Sequence, residues 1–230
     1  MRIVHATGID GARQARGTVV VIDVLRSFTV SAYALAGGAG ECRLVTSVDE
    51  ARALVRETPG AVLCVEVDGL PVPGIAISNS PTQIRAIDLT NRIVIQRSSA
   101  GTPVAAAVES DVIFVGSLVV ARATVQACLL RRPETLTLVA SGDFPEDRAC
   151  ASYMEAIAMG EPPDIERLLR PLRESDRYRE LAAGERPGFP STDLELSLVP
   201  DRFDFAMPVD KEAGYLRVTA RFGGPGTFSN

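Results

Sequence analysis

Short apolar runs alternate with helix-patterned stretches along most of the chain. Residues 18–22 (Thr-Val-Val-Val-Ile) form a continuous apolar run, which predicts a strand buried on both faces. Residues 27–36 are rich in Ala, Val and Leu and stop at Gly37, Gly38 and Gly40, predicting a helix. A second strand is expected over 41–46. Ser47-Val-Asp-Glu50 is a capping box opening a helix that runs to about Glu57, and Thr58-Pro59-Gly60 stops it. A third strand over 61–65 delivers Glu66 and Asp68-Gly69, and a Gly/Pro-rich loop leads to an N-cap signature at Asn79-Ser80-Pro81.

The pattern then recurs. Strands are predicted over 92–96, 111–115 and 136–140. Helices are predicted over 103–108, from Gly116-Ser117 onward, and from Glu146-Asp147 to Met159. Ser117 and Ala121 match Ser47 and Ala51 at an offset of 70 residues. Strands alternating with helices imply an α/β fold with a mostly parallel sheet covered on both faces. The expected architecture is three-layer α/β/α, built from two tandem βαβαβα-like units at about 18–90 and 91–160. The rest, 161–230, is a C-terminal α+β tail packed on the same compact unit, since Phe203, Phe205 and Met207 need burial. Within it, 161–183 is charged and helical, with Pro171 marking a kink or break. Residues 184–192 are a loop, 194–198 and 216–220 short strands, and the last residues a frayed end. Right-handed crossovers would bring Asp23, Glu66, residues 98–102, Ser117 and residues 141–143 to one edge of the sheet.

Composition narrows the chemistry. The chain has 230 residues, four Cys, no Trp and a net charge of −5. No basic run exceeds Arg131-Arg132, which argues against nucleic acid, and no apolar stretch reaches membrane length. The start lacks a signal-peptide core, so a cytoplasmic protein is expected. Cys42, Cys64, Cys128 and Cys150 are widely spaced, as buried free thiols would be. Lys211 is the one lysine and His5 the one histidine. There is no GxxxxGK[ST] loop, no CX₅R loop, and no DxD pair at Asp23. A P-loop, a phosphohistidine, a cysteine phosphatase and an aspartyl-phosphate phosphatase of the DxD type are therefore disfavoured. The absence of GxGxxG after the first strand argues against a dinucleotide site.

The chemistry-bearing feature that remains is Asp23 at the end of the first strand, followed by Arg26 and Ser27 at a helix start. A carboxylate, a guanidinium and a helix N-terminus at the carboxyl end of a buried strand suit a metal ion and a phosphate group. Asp23 also reads as a helix cap, and Arg26 as half of a surface ion pair.

The ordered set Val21-Ile-Asp-Val-Leu-Arg-Ser27, Glu66 with Gly69, Gly74, Asn79-Ser80-Pro81, Ser99 with Gly101-Thr102, Gly116-Ser117, and Gly142 with Glu146-Asp147 resembles the 2-phosphosulfolactate phosphatase family. The resemblance covers roughly 18–160, with a weaker echo at Asp193 and 201–208. It implies Mg²⁺-dependent hydrolysis of a small anionic phosphate monoester, 2-phospho-3-sulfolactate giving 3-sulfolactate and phosphate. The chain departs from the family pattern at Val67, where arginine is expected, and at Ala100 and Val120, where asparagine is common. Arg97 is a candidate to compensate.

On this basis Asp23 and Arg26 are the candidate catalytic residues, and Asp23, Glu66 and Asp147 the candidate Mg²⁺ ligands, with Glu146 an alternative to Asp147. Magnesium favours carboxylate oxygens and retained waters, and phosphoryl transfer asks for positioning and charge neutralisation. Ser27, Arg97, Ser98, Ser99, Gly101, Thr102 and Ser117 are the candidate substrate-binding residues. Glu66 also reads as a solvated loop carboxylate, Glu146-Asp147 as an acidic helix start, and the Ser/Gly turn as an ordinary tight connection. The nucleophile is either a metal-bound water or Asp23 itself. The competing function is a non-catalytic phosphometabolite-binding protein on the same fold. The aliphatic surface of the tail leaves room for a homodimer.

Overall fold

A computed structural model describes residues 1–222. The frayed end expected from the sequence lies outside them. The chain opens with β1 (Arg2–Thr7) and α1 (Gly8–Gln14). It continues through β2 (Thr18–Ile22), α2 (Ser27–Ala36), β3 (Glu41–Val45), α3 (Val48–Glu57), β4 (Val62–Val67), β5 (Leu70–Pro71) and α4 (Pro81–Ile84). The second stretch runs β6 (Ile93–Arg97), α5 (Gly101–Ala106), β7 (Val112–Gly116), α6 (Ala121–Leu130), β8 (Thr135–Ala140) and α7 (Pro145–Met159). The remainder is α8 (Ile165–Arg173), α9 (Asp176–Ala183), α10 (Thr192–Ser197), β9 (Phe205–Glu212), β10 (Tyr215–Val218) and β11 (Arg221–Phe222). No helix among the described residues is long and apolar enough to cross a membrane.

The result is a mixed α/β fold with a large, mostly parallel sheet ordered β1-β8-β2-β7-β9-β10-β3-β6-β4-β5. The strands do not sort by sequence half, as two tandem units would require. β2 pairs with β7 and β8, whereas β6 pairs with β3 and β4. Two parallel groups result, and β9 and β10 join them through antiparallel pairings with β7 and β3. The tail is therefore the middle of the sheet rather than an addition to it. Phe205 and Met207 are buried there, and Phe203 stacks on Phe205 with ring centroids 5.6 Å apart.

Local sequence explains most elements. All five residues of β2 are buried, as its unbroken apolar run requires. In α2 nine of ten residues are buried, because both strand groups pack on it. Phe28, Val30 and Ala32 share one core with Val19 and Val21 of β2, Leu44 of β3, Val94 of β6 and Val104 of α5. The amphipathic α3 carries the expected capping box, Ser47 Oγ accepting from Glu50 N at 3.1 Å while the Glu50 carboxylate accepts from Ser47 N at 2.9 Å. On the opposite face of the β2 group, α6 and α7 bury Val125 and Met154 against Val20, Ile22 and Leu138.

Three local expectations change. Residues 194–197 belong to the helix α10 (Thr192–Ser197), with Leu198 its C-cap, and do not form a strand. Asp193, Leu194 and Ser197 are its buried positions, a helical spacing that the Leu-Glu-Leu-Ser-Leu alternation masked. Pro171 lies inside α8, and the break comes at Ser175, whose hydroxyl accepts from Tyr178 N at 3.1 Å to cap α9. A short 3-10 turn at Leu118–Val120 separates Ser117 from α6.

The central position of β9 makes Met207, which is fully buried, a core residue. Met207→Ala is expected to lower stability by about 2–5 kcal/mol in a urea titration. A loss below about 0.5 kcal/mol, the level of an exposed position, would contradict the placement of β9 in the core.

Candidate active site

The carboxyl ends of β2, β4 and β6 meet at a cavity of about 350 Å³. Asp23, Arg26, Glu66, Asp68, Ser98, Ser99 and Ala100 line one part of it. Phe144, Arg177, Leu181, Arg186 and Phe189 line another.

β2 delivers Asp23, whose Oδ1 accepts from Ser27 N at 2.9 Å. The carboxylate therefore holds the α2 N-terminus and faces the cavity at once. The α5 turn presses against it: a Cβ at Gly101 would lie 2.6 Å from Asp23 Oδ2 and 2.9 Å from Ser27 Cβ, so only glycine fits. Burial pushes the Asp23 carboxyl up to about 7, and the negative charges of Glu66 and Glu146 push the same way. The N–H groups of Ser27 and Gly101 oppose them. The site thus concentrates negative charge that its own donors do not cancel.

Glu66, at the end of β4, accepts from Gly69 N and Ser99 N, both at 2.5 Å. It ties the β4–β5 hairpin to the β6–α5 turn and is buried rather than solvated. That turn is locked by a reciprocal pair, Thr102 N donating to Ser98 Oγ at 3.0 Å and Ser98 N to Thr102 Oγ1 at 3.1 Å. Ser98 and Ser99 stand on the cavity wall, with Thr102 buried behind them. Arg97 also stands behind the wall. It donates to the Glu66 carbonyl, to Ser99 Oγ at 3.0 Å and to Thr46 O at 3.3 Å, so it props the turn and does not face the cavity.

Other candidates separate from the wall. The Ser27 hydroxyl is buried and takes a bond from Gln96 Nε2 at 3.3 Å. Ser117 is fully buried at the end of β7, with no hydrogen-bond partner for its hydroxyl among the described residues. Asp147 turns away: Oδ1 accepts from Val24 N at 2.8 Å, and Oδ2 from Ser141 Oγ at 2.7 Å. It pins the end of β2 to that of β8. Burial, with Asp23 nearby, holds its carboxyl well above the usual range. Among the described residues, no three or more His, Cys, Asp or Glu converge as a metal set. Asp23 and Glu66 are the buried carboxylates on the wall and suit a hard cation, and Mg²⁺ commonly takes one or two carboxylates plus waters and substrate phosphate. The surplus negative charge at Asp23 fits such an ion.

Arg26 does form an ion pair, but a buried one, its Nη1 lying 2.7 Å from Asp193 Oδ2. The same nitrogen donates to Gly188 O at 2.6 Å, and the guanidinium lies 4.2 Å from the Phe189 ring centroid. Asp193 Oδ1 accepts from Ser80 Oγ at 2.7 Å and Thr82 N at 3.0 Å, which orders the Asn79-Ser80-Pro81 turn. All four cysteines are free and buried, with thiols pushed up by burial, so none is a nucleophile.

Several site residues escaped the sequence reading. Gln96 is fully buried and joins Ser27 O, Asn79 Oδ1 and Ser31 Oγ. Arg177, Arg186 and Phe189 come from the tail, whose charged, helical pattern points to no ligand contact. The Gly184-Glu-Arg-Pro-Gly188 loop is the one signal there, with both glycines at positive φ.

The family model for 2-phosphosulpholactate phosphatase matches residues 5–166. A Bacillus subtilis protein described as a probable 2-phosphosulfolactate phosphatase is 37% identical over 147 residues, 61% of this chain and 64% of that protein. A Thermoplasma acidophilum protein with the same description is 31% identical over 185 residues, 79% of this chain and 81% of its own. A third, from Carboxydothermus hydrogenoformans, is 35% identical over 140 residues, covering 58% of that protein.

The raised Asp23 carboxyl has a signed consequence. The folded state binds this proton more tightly than the unfolded chain, whose value is near 3.8. Its stabilisation is complete below about pH 4 and disappears as pH rises through about 7. In chelator-treated buffer, wild type is expected to lose stability against Asp23→Asn over that window, by at most ~1.4 kcal/mol per pH unit. Parallel urea-derived stability curves from pH 4 to 8 would refute the shift.

Proposed function

The chain belongs to the 2-phosphosulfolactate phosphatase family, and from that premise we propose that it hydrolyses a small anionic phosphate monoester of the 2-phosphosulfolactate type. The alignments span 64%, 81% and 58% of the three relatives' lengths, so the activity rests on the family together with the site. The observation that carries it is the buried Asp23 carboxyl, raised to about 7, on a cavity wall beside Glu66 and the Ser98–Ser99 turn.

Phosphoryl transfer needs the phosphate held in place and its charge neutralised. Asp23 and Glu66 are the residues proposed to hold Mg²⁺. When bound, the ion supplies Lewis-acid polarisation of phosphoryl oxygens and offsets the carboxylate charge. Asp147 is assigned to positioning, because it fixes the β2 and β8 ends. Ser98 and Ser99 contribute hydroxyls, and Arg26 a guanidinium immobilised by Asp193 and Phe189. A water attacks phosphorus, the ester P–O bond breaks, and the leaving oxygen takes a proton. The proton that the attacking water gives up balances the one that the leaving oxygen takes, while Asp23 keeps its carboxylate for the ion.

The test is a phosphatase screen with 2-phosphosulfolactate, phosphoglycolate and phosphoglycerates, with Mg²⁺ or chelator. Wild type is expected to hydrolyse at least the first, and Asp23→Ala to lose about 10³-fold or more in kcat. Hydrolysis by Asp23→Ala at the wild-type rate would remove Asp23 from the reaction. Binding without turnover by wild type would leave the non-catalytic reading in its place.

A further inference from the structure

We infer that Arg186 reads a second anionic group of the substrate, a sulfonate or carboxylate, and so decides which phosphate monoesters the cavity accepts. The inference rests on the phosphatase reading for its substrate class. Three arginines line the cavity, and they differ in what they have already spent. Arg26 is paired with Asp193 and also serves Gly188 O. Arg177 is paired with buried Glu146 through Nη2 at 2.9 Å and Nε at 3.2 Å, and lies 4.9 Å from the Phe144 ring centroid. Arg186 makes no ion pair among the described residues. Its hydrogen bond goes to a neutral acceptor, the Asp68 carbonyl, at 3.0 Å. It is the cation on the wall whose charge no carboxylate has answered.

Its position suits the role. A Cβ at Gly69 would lie 2.6 Å from Arg186 Nη2, and Gly69 N donates to Glu66. The guanidinium therefore packs beside the Glu66 end of the cavity. The loop that carries it is pinned on both sides. Phe189 N donates to Arg186 O at 3.0 Å, and Gly188 O accepts from Arg26 and from Ser78 Oγ at 3.1 Å. Gly188 also packs so closely on Pro71 that a Cβ there would lie 2.5 Å from its Cγ. A guanidinium held this way binds an oxyanion with little further ordering, and its planar fork matches sulfonate or carboxylate oxygens. The loop lies beyond residue 166, outside the segment that the family model matches. The Asp23–Glu66–Ser98 floor belongs to the family match, and the second-anion contact comes from a different part of the chain.

Three esters separate the possibilities: 2-phosphosulfolactate (sulfonate and carboxylate), 2-phospholactate (carboxylate alone) and isopropyl phosphate (neither). Arg186→Ala is expected to lower kcat/KM for 2-phosphosulfolactate by about 10- to 100-fold, mainly through KM, with the melting temperature unchanged. Isopropyl phosphate should be hydrolysed as by wild type, and Arg186→Lys should recover part of the loss. If 2-phospholactate suffers equally, Arg186 reads the carboxylate; if it is spared, the sulfonate. Equal losses on all three esters would overturn the inference. Should wild type hydrolyse none, calorimetric titration with 3-sulfolactate still reads Arg186. A tenfold or greater loss of affinity in Arg186→Ala supports the contact while the phosphatase reading fails, and equal affinity overturns it.

Discussion

A helix buried on nearly every side has to be enclosed, and α2 is enclosed by both parallel groups of strands. β2 and β7 cover one side of the shared core, and β3, β6 and β4 contribute to the other. The two groups cannot pair directly, because three antiparallel junctions separate β7 from β3. β9 and β10 supply those junctions, so the last third of the chain closes the sheet around the first. The cavity is a consequence of that closure. Asp23 at the end of β2 and Gly101 after β6 belong to different strand groups, yet they approach so closely that a single methyl group would not fit between them.

Burial then sets the electrostatics. Asp23, Glu66, Glu146 and Asp147 are all buried at this end of the molecule. Each finds donors, but the donors are shared with structural duties: Asp147 pins two strands, Glu66 two turns, Glu146 holds Arg177. Burial and the neighbouring negative charges raise the proton affinity of Asp23 and Asp147, which is costly for the fold and useful for binding a cation. The arginines are similarly divided. Arg26 and Arg177 anchor the tail to the site through carboxylate partners, and breaking such a buried pair by removing one member typically costs about 3–5 kcal/mol. Arg186 has no such structural partner among the described residues, which leaves its charge for a ligand.

The βα alternation, the α2 and α3 boundaries, the capping box and the approximate places of β2, β3, β4, β6, β7 and β8 were legible in the sequence, since each depends on local periodicity and capping chemistry. So was the Asp23–Arg26 motif, along with Glu66, Ser98 and Ser99, which line one cavity, and Gly101, which packs against Asp23. Arg97, Thr102, Ser117 and Asp147 were legible as polar residues near strand ends, but not as residues facing away from the cavity. A one-residue change of direction at a strand end decides that, and no periodicity records it. The strand at 194–198 was misread because five alternating residues fit a strand or a helix face equally well, until the bonds of Asp193 to Arg26, Ser80 and Thr82 chose the helix.

Sequence alone thus determined the element types, the free buried thiols and the first carboxylate of the site, because hydrophobic period, side-chain size and capping act over a few residues. Tertiary structure decided the strand order, the central place of the tail, the raised Asp23 carboxyl and the three arginines' different partners. Those properties arise from residues brought together across 50 to more than 160 positions, as in Arg26 with Ser78 and with Asp193. Burial and charge at such a meeting point are properties of the enclosure, and no window along the chain contains it.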